Sequence, residues 1–139
     1  VRALTAYKGL GALAGEEAVY AMCDFDAERQ GLDGRQRYVM RFAPGELPPV
    51  DGFWSVTMYD ADRFLYPNAF GRHSIGDRTA GLKRDADGGL SLVIGHEAPA
   101  DMGNWLPAPA GPCYVVLRLY VPRPEARTWA IPPLERVRA

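Results

Sequence analysis

Between Gly71 and Thr79 the sequence crowds Arg72, His73, Ser74, Asp77 and Arg78 into nine residues. Guanidinium groups bind carboxylate or phosphate bidentately, and a carboxylate beside them can orient one of them. Arg72, Asp77 and Arg78 are therefore candidate binding residues for a small polar ligand. A plainer reading stands beside it. Asp77 follows Gly76, and an Asp so placed accepts N–H groups of its own turn and ties down the neighbouring Arg78.

His96 closes the apolar run Leu90, Leu92, Ile94. With Asp77 it would form an acid–base pair, with Arg78 as anion stabiliser, which is the chemistry of a hydrolase. Asp77, His96 and Arg78 are the catalytic candidates. The plainer role for His96 is a hydrogen bond to a backbone carbonyl at a sheet edge. A mixed metal site from His73, Asp77, His96 and Glu97 lacks supporting spacing. The chain has two histidines, with no His-x-His and no Cys-x-x-Cys, so neither metal nor cofactor is expected. Ser74 is outside any Gly-x-Ser-x-Gly elbow, and its neighbour His73 would point to the opposite side of an extended chain.

Asp60 with Asp62, and Asp85 with Asp87, could flank a glycosidic bond or bind Ca²⁺. Asp-x-Asp in a hairpin loop is more simply turn chemistry. Trp54, Trp105 and Trp129 could build an aromatic platform for a sugar or apolar ligand; Trp54, inside a strand, reads as core. His96, Asn104 and Trp105 complete the ligand-binding candidates.

The elements that must position these residues are mostly strands. Ala18 to Phe25 is short, aromatic and β-branched, with Val19, Ala21, Cys23 and Phe25 on one face. Arg37 to Phe42 alternates, with Tyr38, Met40 and Phe42 inward, and is expected to pair with the first strand as a long-looped hairpin. Phe53 to Tyr59 gives the strongest strand pattern, with Trp54, Val56 and Met58 on one face. Phe64 to Tyr66 reads as a short strand. Asp85 to Gly89 is a hairpin signal feeding Leu90 to His96. Tyr114 to Val121 is apolar on both faces except Arg118, which predicts a central strand. Ala98 to Pro112 reads as loop, and the tail with Trp129, Pro132 and Pro133 as irregular. Val1, Leu4, Tyr7 and Leu10 have helical spacing and predict a short helix over Arg2 to Lys8. Short strands, frequent turns and little helix predict an all-β fold, a two-layer antiparallel β-sandwich of jelly-roll type.

At 139 residues the chain is expected to be one domain, 1–139. Because it opens on Val1, we expect a fragment or the C-terminal domain of a longer chain. Its 47% hydrophobic and 24% charged residues are the balance of a globular domain. A net charge of −1 offers no basic surplus for nucleic acid. No apolar run approaches the ~20 residues of a membrane-spanning helix. Cys23 and Cys113 read as two small buried hydrophobes, and a disulfide would need their Cα atoms within ~7 Å.

Several ordered motifs carry a resemblance. They are Pro48-Pro49-Val50, Gly52 to Asp60, Arg72, Ser74 to Thr79, Asp85 to Gly88, His96, Asn104 to Pro109 and Leu117 to Tyr120. From about Leu10 onward the chain resembles the bacterial family called domain of unknown function 1214, which often follows domain of unknown function 1254. The resemblance implies a jelly-roll β-sandwich and, from the family's frequent export signals, an envelope or periplasmic home. It supplies no activity. His73, Cys113 and Val121 stand where the family tends to have Tyr, Phe and Trp.

Three readings follow: an accessory domain binding a partner or polar ligand near the Arg72–Asp77–Arg78 loop, a hydrolase, or a purely structural domain. The first needs an exposed aromatic or basic surface beside the loop. The second needs Asp77, Arg78 and His96 to converge. The third needs those side chains buried and mutually satisfied.

Overall fold

Alternating apolar residues need two sheets to bury one face of each strand, and the chain supplies them. A computed structural model describes residues 17–138. The strands are β1 (Ala18–Cys23), β2 (Tyr38–Phe42), β3 (Trp54–Asp60), β4 (Ser74–Gly76), β5 (Leu90–Gly95), β6 (Trp105–Pro107), β7 (Cys113–Tyr120) and β8 (Leu134–Arg136). One 3-10 turn, Pro124–Arg127, precedes β8. The first sheet has the order β1-β7-β3-β4 and the second β6-β5-β2-β8. The helix expected over Arg2 to Lys8 lies outside the described residues.

The inward faces are those the alternation predicts. Tyr38, Met40 and Phe42 of β2 meet Val56 and Met58 of β3, Leu92 and Ile94 of β5, and Val115, Leu117 and Leu119 of β7 in one core. Each such side chain contributes roughly 1.5–3 kcal/mol on burial. β7 lies between β1 and β3, the central place its two apolar faces predict. Trp54 is core, 5.2 Å from the Phe42 ring.

Several expectations are corrected. β1 and β2 form no hairpin: β1 pairs β7, while β2 pairs β5 and β8 in the other sheet. The segment between them crosses from one sheet to the other. It satisfies its own backbone through Asp26 N to Gln30 O and Leu32 N to Asp24 O, and buries Leu32 in the core. The segment Phe64 to Tyr66 makes a single bridge, Tyr59 with Leu65. The Asp85–Gly89 turn forms, but no ladder strand precedes it. The expected loop at 98–112 contains β6, which runs parallel to β5. Pro107 is tolerated there because β6 is an edge strand. The tail carries β8, whose Leu134 is buried.

At the β4–β3 contact Gly76 is required by space. A Cβ there would sit 2.2 Å from the carbonyl oxygen of Trp54, so only glycine lets the chain pass this close.

Candidate functional site

The Gly71–Thr79 loop divides into two halves with different employment. In the first, Asn68 holds the turn. Its Oδ1 accepts from the N–H groups of Phe70 and Arg72, and its Nδ2 donates to the Arg72 carbonyl at 2.8 Å. So positioned, Arg72 Nη1 donates to the carbonyls of Met102 at 2.8 Å and Trp105 at 2.9 Å. This arginine, from the edge of the first sheet, is spent on the backbone around β6. Asn104 is spent likewise: it donates to Lys83 O and Ser91 O and accepts from Lys83 N. Trp105 is 2% exposed, donates Nε1–H to Gly95 O and lies 5.0 Å from the Phe70 ring. These three candidates act as fasteners.

The second half faces solvent. Asp77 is exposed, and its one hydrogen bond, from Trp54 N, is long at 3.4 Å. Among the described residues no ion pair joins it to Arg72 or Arg78. Arg78 instead lays its guanidinium over the Phe53 ring at 4.2 Å.

His96 is not brought to Asp77. Asp77 sits by Trp54, at the start of β3. His96 N bonds Gly34 O, while Gly34 N bonds Gly111 O close to Cys113, the register partner of Asp60 at the far end of β3. Six residues of strand, about 20 Å, separate the two ends. The acid–base pair therefore does not form. His96 Nδ1 lies 2.9 Å from Ala108 O and His73 Nδ1 lies 3.0 Å from Tyr66 O. Among the described residues no three His, Cys, Asp or Glu side chains are grouped to hold a metal. The Asp-x-Asp pairs serve turns: Asp60 Oδ1 accepts from Asp62 N and Phe64 N, and Asp87 Oδ1 from Gly89 N. That N–H, with the Arg41 guanidinium, holds the Asp87 carboxyl below its usual range.

Both cysteines are free thiols. Burial pushes Cys113 up to about 12 and also raises Cys23, whose Sγ–H donates to Phe25 O.

Arg78 opens onto the surface that sequence reasoning missed. Residues of β1, β3 and β7 that point away from the core form a continuous aromatic and arginine series. Phe53 stacks on Tyr120 at 4.2 Å, and Tyr120 meets Tyr20 edge-on at 6.1 Å. Arg118 lies 5.6 Å from the Tyr20 ring and 5.8 Å from that of Tyr59. It donates to the Tyr59 hydroxyl and, at 3.3 Å, to Thr57 Oγ1. Tyr59 stacks on Tyr114 at 5.2 Å, and Arg63 covers Tyr114 at 5.6 Å. Burial raises the phenols of Tyr114 and Tyr120, the latter with help from Tyr20. Among the described residues none of Arg63, Arg78 and Arg118 has a carboxylate partner. The available signal was the second face of each strand, rich in Tyr and Phe where an outer face is usually polar.

The fold and this face define a β-sandwich domain with a close-packed aromatic surface bearing cations. The chain belongs to the family described as protein of unknown function, DUF1214, whose model matches residues 17–124. It is similar to the crystal structure of the VPA0106 protein from Vibrio parahaemolyticus, with 36% identity and a TM-score of 0.82 over 95% of this chain and 33% of that one. An uncharacterised protein from Burkholderia cenocepacia shares the fold at 18% identity, with a TM-score of 0.54 over 93% of this chain and 31% of that one. This chain thus spans about a third of either structure. No curated protein matches it.

Proposed function

We propose that this chain is an accessory domain that docks on another part of a longer polypeptide through the outer face of its first sheet. The observation that carries this reading is the series from Arg78 through Phe53, Tyr120, Tyr20, Arg118, Tyr59 and Tyr114 to Arg63. Tyr, Phe, Met and Arg are the residues enriched at the desolvated centres of interfaces. Three arginines without carboxylate partners among the described residues call for acidic groups on the opposing surface. The occupant is taken as the same polypeptide because the similar structures are about three times as long as the stretch they share with this chain. Asp77 and Arg78 then form the rim of the docking face, beside its aromatic centre. An envelope location is supported by the family resemblance.

Side-chain oxidation by hydroxyl radicals tests the proposal, comparing this chain alone with the longer polypeptide that contains it. Tyr20, Tyr59 and Tyr120 should oxidise at least threefold more slowly in the longer polypeptide. Met102 and Phe70, exposed by the β6 edge, should oxidise equally in both. Equal rates on the outer face would sink the docking reading.

A further inference from the structure

The three arginines of the outer face differ in how much water they would lose on docking. Arg63 and Arg78 are exposed, and each lies over one ring, Tyr114 or Phe53. At the rim their heads stay hydrated. Arg118 grows from β7, the strand between β1 and β3, and is half-buried. Its register partners are Tyr20 on one side and Ser55 on the other. The Tyr20 and Tyr59 rings lie 5.6 and 5.8 Å from its guanidinium carbon, near the outer limit of a cation–π contact.

A guanidinium carries five N–H donors. Nη1 of Arg118 donates to Thr57 Oγ1 at 3.3 Å and Nη2 donates to the Tyr59 hydroxyl. Thr57 is 3% exposed, so these bonds hold the head over the middle of the sheet. Among the described residues Nε–H has no acceptor and the charge has no carboxylate. The Tyr59 hydroxyl, which accepts from Arg118, keeps its own hydrogen to donate.

A surface laid over this face strips water from the Arg118 head. A guanidinium covered without an opposite charge is strongly destabilising, and rings at this distance do not offset that. Docking over Arg118 is favourable only where the opposing surface brings a negative group into hydrogen-bonding geometry. In a polypeptide that group is the carboxylate of Asp or Glu.

We infer that Arg118 is the anchor of the docking face and receives one Asp or Glu carboxylate of the longer polypeptide, on its Nε–H and a free Nη–H, with the Tyr59 hydroxyl as a third donor. The inference rests on the docking reading and narrows it. The acid opposite Arg118 is necessary; acids opposite Arg63 and Arg78 are dispensable.

The test is hydroxyl-radical oxidation of Tyr20 and Tyr120 in the longer polypeptide, comparing the parent with Arg118→Gln, Arg118→Lys and the double variant Arg63→Gln/Arg78→Gln. Arg118→Gln should raise both rates to those of the chain alone. Arg118→Lys, which keeps the charge but not the fork, should raise them part of the way. The double variant should change them less than twofold. A second measurement needs no substitution at the site: in the longer polypeptide the Arg118 Nε–H proton resonance should move downfield and exchange with water at least tenfold more slowly than in the chain alone. Where the parent is protected, persistence of that protection in Arg118→Gln, an equal loss in the double variant, or an unmoved Nε–H resonance would overturn the inference and leave docking standing. A parent without protection would instead overturn docking itself. If Arg118→Gln does not fold, the Nε–H resonance decides.

Discussion

Arg72 Nη1 lies 2.9 Å from the carbonyl oxygen of Trp105, so the edge of one sheet is bonded through a side chain to the backbone of the other. The same nitrogen reaches Met102 O at 2.8 Å. Hydrogen bonds from a charged donor are worth about 1.5–3 kcal/mol each, and removal also orphans the acceptors. Arg72→Ala should therefore destabilise the chain by about 2–4 kcal/mol in urea unfolding, and Arg72→Lys should restore only part of that. An unchanged midpoint for Arg72→Ala would show that the fastening contributes nothing.

Asp77 follows Arg72 by five residues in the same short segment of chain and should behave differently. It is exposed and accepts one 3.4 Å hydrogen bond. Asp77→Ala should shift stability by less than about 1 kcal/mol. A loss of several kcal/mol would mean that Asp77 is a structural acceptor, and its place on the rim of the docking face would be withdrawn.

The thiols and phenols set the alkaline limit. Cys113 is pushed up to about 12 by burial, and Cys23, Tyr38, Tyr114 and Tyr120 are also raised, burial being the main cause. Each is protonated in the fold at a pH where the unfolded chain has begun to lose that proton. Their contribution is complete below the unfolded values, near 8.5 for Cys and 10 for Tyr. It is lost as pH rises toward the folded ones. Melting temperature should fall from about pH 9 upward. Cys113 should resist a thiol reagent at pH 8 until urea unfolds the chain. Rapid labelling of folded Cys113 would contradict its burial.

Local pattern reached the fold further than it reached the site. The alternation in Tyr38–Phe42, Trp54–Asp60 and Leu90–Gly95 reports burial directly, because alternate residues of each strand face the core. Pairing is not local, and the β1–β2 hairpin failed for that reason: adjacent strands went to different sheets. β6 and β8 are three-residue edge strands, and the prolines at 107, 132 and 133 hid them. Arg72 looked like a ligand-binding residue because its carbonyl partners are 30 and 33 residues away. The buried, unpartnered Oδ2 of Asp26 is visible only in three dimensions. Tyr20, Tyr59 and Tyr120 were legible as the second face of their strands, but not as one surface.

The register of β1 has a consequence for how the chain is made. Ala18 pairs with Tyr120, and Tyr38 with Arg136, so each sheet joins residues from near both ends of the described chain. Neither can close while the C-terminal third is still on the ribosome. Contacts this distant in sequence slow folding, since loop closure must precede any reward. Until β7 emerges, β1 and β3 present apolar faces and open backbone edges with no partner in their own sheet except β4. The nascent sheet is thus exposed to aggregation until β7 emerges.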